Sequence, residues 1–500
     1  MRLAGIDAGT TSVSGVLLNR DSGRVEHTVS TEHGAALPPD NAEVDIQDPQ
    51  KFLDAIESIR AELIDKAESL RRTGRPGTID DDDPPIRALS VTGQVHGILY
   101  IGDDGRHVSP LYTWQDTRGR CSAQARGESP SGSESWSDWA TSASGYLLPP
   151  GYGFLTHIIN QHEGRVPREA VGFTTILGYI SMQLAGARRP KLETTDAHSL
   201  GLFDLQTQRF DRDAYRTLGI PEEFVPEVVS AETILGTTEE GVDVFAAVGD
   251  NQAGYIGSVQ DPTREPLISI GTSAQLSVYS PNLPAPDARR GEHYGWTGQL
   301  EIRPFPGGDF LFAGSSITGG SSYRLLESLF REICRKYTGI DPGSLLEQMN
   351  SIPYDELQES LKLDVSTQFL GTRLDPSKRG SIRNISRGNF SHDYLVEGFL
   401  RGIVSELKTY FNDLPAHDRA RTERVIGVGN ALRRNPLLCR ILEEEMNVPL
   451  YSPEYREEAA LGAAIIAAVG AGAYQSYVST DRPVSYEKAG TSKVSPDETS

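Results

Sequence analysis

The sequence predicts an α/β protein of two large lobes, or of three to four smaller domains, on three observations. Its 500 residues are too many for one ordinary hydrophobic core. Short apolar, β-branched runs alternate with a stretch of helical periodicity. A plan of apolar strand, Gly-Thr turn and second strand occurs twice, at Leu3–Asn19 and Leu267–Val278, with Gly9 and Gly271 262 positions apart. Chance recurrence is the alternative in any long α/β chain, but a second copy just past mid-chain favours duplication.

Taken in order, Leu3–Asp7 reads as a buried strand, Ser12–Asn19 as a second and Arg24–Ser30 as a third. Ala8-Gly9-Thr10-Thr11 makes a tight hairpin between the first two. A helical pattern runs from Pro49 to Leu70. Arg71–Pro85, with its glycines, prolines and four consecutive aspartates, reads as a solvated loop in which Asp80–Asp83 offer a weak cation site. Ser129–Ser137 is a second polar loop. Val244–Val248 is a strand entering the turn Gly249-Asp250, a domain junction. Val425–Val428 is a strand running into Gly429 and a helix from about Ala431. Ala459–Ala473 is apolar and uncharged but shorter than the ~20 residues of a membrane span, so it reads as a buried helix entered by Glu457 and Glu458. A polar tail follows from about Ser476.

Composition excludes several functions. Hydrophobic residues at 37% and charged residues at 23% support a folded core. The net charge of −21 repels nucleic-acid backbone and anionic lipid, and no basic patch offsets it, so neither nucleic acid nor membrane is a partner. Cys121, Cys334 and Cys439 are far apart and odd in number, which supports neither a disulfide framework nor a thiolate zinc site. A reducing, cytoplasmic compartment fits, and the early Asp7 breaks the apolar stretch of a secretory signal.

Chemistry concentrates at the two Gly-Thr turns. Glycine lets backbone approach a ligand and expose its amides, while Thr and Ser add hydroxyl donors, so each turn suits phosphate oxygens. Neither carries Lys or Arg. A polyphosphate there needs neutral donors and Mg²⁺, and Asp7, at the end of its strand, is placed to orient the hydrated ion. Alone, Asp7 also fits a turn-forming Asx residue. There is no Gly-Lys dipeptide and so no Walker A loop, and no G-x-G-x-x-G, G-x-S-x-G or H-E-x-x-H.

These pieces in this order resemble the FGGY carbohydrate kinases, members of the actin-like ATPase superfamily. The resemblance rests on Gly5–Ser12, Ser269–Ser273, Gly249-Asp250-Asn251-Gln252 and Gly371–Pro376, and spans nearly the whole chain. It implies two ribonuclease-H-like lobes with a central cleft, residues 1–247 and 248–480, followed by a tail at 481–500. It implies ATP held by Gly9, Thr10, Thr11, Ser12, Gly271, Thr272 and Ser273, with Gly319, Gly320, Gly427, Gly429, Asn430 and Arg433 around the nucleoside. Asp7 and Asp250 would hold Mg²⁺, and Asp250 would take the proton of a sugar hydroxyl.

Thr92–Gly97 and Thr113–Arg118 look most like the sedoheptulokinase branch and next like xylulokinases, which implies a small-molecule ketose as substrate. Gln94, Val95, His96, Trp114, Gln115, Asp116, Asp250 and Asn251 would line its pocket. Val95 stands where Met is usual, and the nucleoside segment lacks a Gly-Gly-Gly run. Trp114 alone reads equally as core or as a platform for sugar C–H surface. A homodimer is compatible with this reading. The alternative of another class is an actin-like ATPase acting by conformational change, which would hydrolyse ATP with no sugar present.

Overall fold

Two sheets of one plan carry the chain. β1 (Arg2–Ala8) pairs antiparallel with β2 (Ser12–Asn19) and β2 with β3 (Arg24–Glu32). On its other side β1 runs parallel to β4 (Ala88–Gly93), and β4 to β5 (Asp243–Phe245). In the second sheet β6 (Leu267–Ile270) pairs antiparallel with β7 (Ala274–Ser280) and β7 with β8 (Asp309–Ser316). β6 runs parallel to β9 (Val425–Val428), and β9 to β10 (Leu450–Pro453). The spatial orders β5-β4-β1-β2-β3 and β10-β9-β6-β7-β8 coincide, the first sheet with one further strand beyond β5 and the second with further strands at both edges. The repeated strand–turn–strand plan is thus the visible part of a duplicated architecture. This computed structural model describes residues 1–73, 84–122, 134–283, 295–375 and 377–490.

Burial explains the strand compositions. β1 and β2 lie in the sheet interior and are apolar on both faces, whereas β3, at the edge, alternates exposed and half-buried positions. The helix Pro49–Thr73 has Asp48 capping its first turn through the Gln50 N–H, at 2.9 Å, and packs on one face of the first sheet with Ile176–Leu184. It continues three residues past the expected end at Leu70. Asp80–Asp83 and most of the Ser129–Ser137 segment lie outside the described residues. The rest of that second loop is not loop: Ser135 caps a helix over Trp136–Ser144.

Three helices position the site: α1 (Thr194–Ser199), α2 (Asp250–Ser258) and α3 (Glu458–Gly470). α3 is buried from Ala460 to Ala468 because it lies between the lobes, against β1 on one side and α2 on the other. The approach is closer than any side chain permits. A Cβ on Gly5 would stand 1.9 Å from the Ala460 carbonyl oxygen, one on Gly257 1.9 Å from that of Glu458, and one on Gly462 1.8 Å from that of Ala253.

Residues 481–490, expected as part of a polar tail, belong to the second lobe. Tyr486–Lys488 is a strand paired antiparallel with β10, and Arg482 is buried with its guanidinium on the carbonyls of Ile256, Val259 and Gln260, at 2.6, 2.7 and 2.9 Å. Arg482 thereby satisfies carbonyls at the C-terminal end of α2 and sets a cation where the helix dipole favours one. The high polar content of the segment hid the few side chains that anchor it. Among the described residues, no helix is long and apolar enough to cross a membrane.

Because the α2–α3 contact is backbone on backbone, Gly257→Ala and Gly462→Ala should each cost about 2–3 kcal/mol of stability by overpacking. Gly254→Ala, on the same helix with open space at its Cβ, should be neutral or gain up to about 1 kcal/mol. Thermal melts of the three variants check this, and an equal loss at Gly254 would remove the crossing as the cause.

Candidate active site

The α2–α3–β1 contact brings four carboxylates together. Asp7 ends β1, Asp250 opens α2, and Glu457 and Glu458 enter α3. Burial, then the charges of Asp250, Glu457 and Glu458, push the Asp7 carboxyl up to about 7. Burial likewise raises Asp250, partly offset by the Asn251 N–H, which donates to its Oδ1 at 2.7 Å, and by the Arg303 charge. Asp250 is enclosed by the cleft walls, yet its side chain remains open to solvent within the cleft.

Both turns are held by backbone and side-chain hydrogen bonds, among them the His33 N–H on the Thr11 carbonyl at 3.3 Å and Ser321 Oγ on that of Thr272 at 2.8 Å. In the first, the Gly9 N–H donates to the Ser12 carbonyl at 3.0 Å, His33 Nε2 contacts the Gly9 carbonyl at 3.3 Å, and Gln47 Nε2 donates to that of Thr10 at 2.9 Å. The Ala35 N–H donates to His33 Nδ1 at 3.0 Å, so Nε2 bears the proton. In the second, the Thr272 carbonyl accepts the Gly319 and Ser321 N–H groups at 2.9 and 3.1 Å, and the Gly271 carbonyl accepts that of Gly320 at 2.9 Å. A Cβ on Gly319 would meet the Ser273 carbonyl oxygen at 2.4 Å, and one on Gly429 that of Ile270 at 2.5 Å. Gly319, Gly320 and Gly429 therefore gather at Gly271–Ser273, with Asn430 opening the helix that follows Gly429.

At the other end of the cleft, His96 takes a left-handed backbone (φ 74°). Its N–H donates to Ser199 Oγ at 3.1 Å and its Nδ1 donates to the Ser199 carbonyl at 2.7 Å, while the ring stacks on Tyr152 with centroids 4.4 Å apart. Burial holds the imidazole neutral, at about 3. Its Nε2 is left as an acceptor. α1 also fixes the Gly249-Asp250 turn, since the Gly249 N–H donates to Thr195 Oγ1 at 2.9 Å. Val95 packs over the same turn, 3.3 Å from where a Cβ on Gly249 would stand.

The second lobe contributes Glu301 and Arg303. Arg303 donates to Glu301 Oε2 at 2.6 Å and to Asn251 Oδ1 at 3.1 Å. Burial alone would raise Glu301, but Arg303, His198 and Arg373 overcome it and hold the carboxyl at about 2. Neither residue was found from sequence, although their i, i+2 spacing places both on one face of a strand. Tyr152, Thr195, Ser199, Gln47 and His33 were missed too. A polar cluster at Glu193–Asp196 was the only local signal for α1.

Several expected residues have other work. Asp116 does not stand free for a sugar: it is 3% exposed and paired with Arg118, at 2.6 Å, which also holds Asn160 and Glu163. Gly427 lies inside β9, where a Cβ would stand 3.0 Å from the side chains of Leu432 and Leu450. Arg433 pairs with Glu458. The amide of Asn251 is taken by Arg303 and Ser277. Trp114, 46% exposed, is not core; its Nε1 faces Thr10 Oγ1 at 3.4 Å. Gln115 is exposed beside it, and Gln94 is buried on Gln47.

Two lobes of one plan, each with a Gly-Thr turn, joined at a crossing where four carboxylates gather, have the parts of a phosphotransferase. The signature of the N-terminal domain of the FGGY family of carbohydrate kinases matches residues 3–257, and that of its C-terminal domain residues 267–471. The chain belongs to this family and is an ATP-dependent sugar or polyol kinase. Human sedoheptulokinase is 25% identical over 92% of this chain and 96% of its own. Xylulose kinase from Lactobacillus acidophilus superposes with a TM-score of 0.75 at 18% identity, over 98% and 93% of the two chains. Plasmodium falciparum glycerol kinase with ADP gives 0.73 at 16%, over 96% and 91%.

The buried acids set the stability of the ligand-free protein. Burial raises Asp7 and Glu193 to about 7 and Asp196 to about 8, so the folded state keeps protons there that the unfolded chain has lost above pH ~4. Their contribution falls as pH rises through that window. Burial lowers His96 to about 3 and His157 and His198 to about 4, so theirs falls as pH drops below ~6.5. Stability should be flat between pH ~4.5 and 6.5 and fall by on the order of 2 kcal/mol towards pH 8. Denaturant titrations along pH check the sign; the decline should shrink in Asp196→Asn.

Proposed function

We propose that the chain phosphorylates a terminal hydroxyl of a ketose, sedoheptulose to sedoheptulose 7-phosphate before xylulose, with Asp250 as general base. The observation that supports this is Asp250 at the head of α2, near enough to Asp7 for their charges to interact, facing the Arg303 charge, on a turn held by Thr195. Human sedoheptulokinase is the named relative that favours the seven-carbon substrate.

A sugar hydroxyl is a poor nucleophile near neutral pH and must be set in line with the γ-phosphate. Asp250 accepts its proton, and the Asn251 N–H and the Arg303 charge keep the carboxylate available as a base. His96 Nε2 and the free oxygen of Gln94 accept hydrogen bonds from other hydroxyls. Trp114 and Tyr152 offer aromatic faces to C–H surface. The amides and hydroxyls of Gly9–Ser12 and Gly271–Ser273 bind phosphate oxygens without a cationic side chain.

The donor set fits Mg²⁺. Asp7 and Asp250 bring two hard oxygen ligands into a region of like charge, and Arg433 is occupied by Glu458. Among the described residues no three or more His, Cys, Asp or Glu side chains form a closed metal cage, as suits an ion that keeps its waters. When bound, the ion would neutralise phosphate charge.

Assaying ATP consumption on sedoheptulose, xylulose, ribulose and glycerol tests the assignment. A highest kcat/KM on a polyol would overturn the ketose reading, and sugar-independent ATP turnover at an equal rate would return the conformational ATPase. Asp250→Ala should lower kcat about 10²–10⁴-fold with MgATP binding nearly intact; a fall below tenfold would remove Asp250 from the role. An analogue lacking one hydroxyl contacted by His96 or Gln94 should lose about 1–3 kcal/mol in kcat/KM, because a buried acceptor is left unpaired.

A further inference from the structure

We infer that Gln47 is the positioning residue through which occupancy of the sugar pocket reaches the first phosphate turn. The inference rests on the kinase reading above and assigns a role to a residue outside both ligand sites.

Gln47 is 6% exposed and ends the two-residue strand Ile46–Gln47, which pairs antiparallel with Leu111–Tyr112 in the register Ile46 to Tyr112 and Gln47 to Leu111. That ribbon runs beside the segment holding Trp114 and Gln115. The Thr113 N–H donates to the Asp45 carbonyl at 3.0 Å, and the Thr117 N–H to that of Glu43 at 2.8 Å. Gln47 thus sits between the sugar-side segments and the turn Gly9–Thr11.

Its amide orientation is forced. The Thr10 carbonyl can only accept, so Gln47 must present Nε2 to it, at 2.9 Å, and Oε1 to the other side. Oε1 accepts from Gln94 Nε2 at 2.8 Å, which turns the Gln94 oxygen away as an acceptor. The Gln94 N–H donates to the Ala8 carbonyl at 3.0 Å, so this residue is tied to the turn through both side chain and backbone. Trp114 Nε1 reaches Thr10 Oγ1 at 3.4 Å. Two residues of the sugar side therefore converge on Thr10, one directly and one through Gln47. A hydroxyl donating to Gln94 polarises a chain of amides that ends on the phosphate turn.

Coupling of this kind is reciprocal and is measured as a ratio of affinities. The test is calorimetric binding of Mg²⁺ with a non-hydrolysable ATP analogue, with and without the saturating panel sugar of highest kcat/KM. In the wild type the sugar should tighten nucleotide binding at least fivefold. In Gln47→Leu and Gln47→Glu that factor should fall to within twofold of one, with kcat/KM for the sugar down at least tenfold. Gln47→Glu keeps the shape but sets a carboxylate against the Thr10 carbonyl, so it stands in if the leucine variant fails to fold. A purely structural Gln47 would lower melting temperature and activity but leave the factor intact. That result, or a wild-type factor of one, overturns the inference and leaves the kinase assignment standing. Failure of the wild type on every panel sugar would instead take both away.

Discussion

The site exists because three backbones meet without side chains between them. At Gly5, Gly257 and Gly462, β1, α2 and α3 close to distances at which any Cβ would collide with a carbonyl oxygen. Asp7 lies two residues beyond Gly5 on β1, Asp250 seven residues before Gly257 on α2, and Glu458 four before Gly462 on α3. Fixing the crossing therefore fixes the acids. The same contact is also one join between the lobes, since one apolar cluster runs from Leu3 and Phe245 through α2 and α3 to Leu267 and Ile426.

Such an arrangement is electrostatically costly when empty. Asp7 responds by holding its proton to about pH 7, and on the proposed function a divalent cation entering with the triphosphate would relieve the like-charge repulsion. The absence of Lys and Arg at both turns then follows. A fixed cation there would pair with Asp7 in the free enzyme and compete with the metal. The two arginines nearest the chemistry are committed elsewhere, Arg433 to Glu458 and Arg303 to Glu301 and Asn251.

The sequence made the fold legible because its signals were local and repeated. Strand, Gly-Thr turn and strand recur at half-chain spacing, and the apolar pattern carried the bounds of Ser12–Asn19. The two Gly-Thr turns were legible for the same reason. Partners distant in sequence were not. Gln47 and Gln94, His96 and Ser199, Asn251 and Arg303 meet only through tertiary structure, and no local pattern distinguishes Gln47 from any other polar strand residue. Asp116 misled because its motif looks like a sugar-facing acid, whereas the arginine two residues on claims it.

Duplication leaves one instructive asymmetry. Counting back two residues from Gly9 and from Gly271 gives Asp7 in one lobe and Ser269 in the other, so only the first turn carries a charge. A second carboxylate would repel the same triphosphate from the other side, and one suffices to orient a hydrated metal. The supports overlap. The second turn takes the backbone N–H groups of Gly319, Gly320 and Ser321 and the Ser321 hydroxyl, and the first takes the His33 N–H on the Thr11 carbonyl together with the side chains of His33 and Gln47. On the proposed function, the first turn is the one tied to sugar-side residues, through Gln47 and Trp114 at Thr10, and a kinase that must avoid spending ATP on water gains from that link.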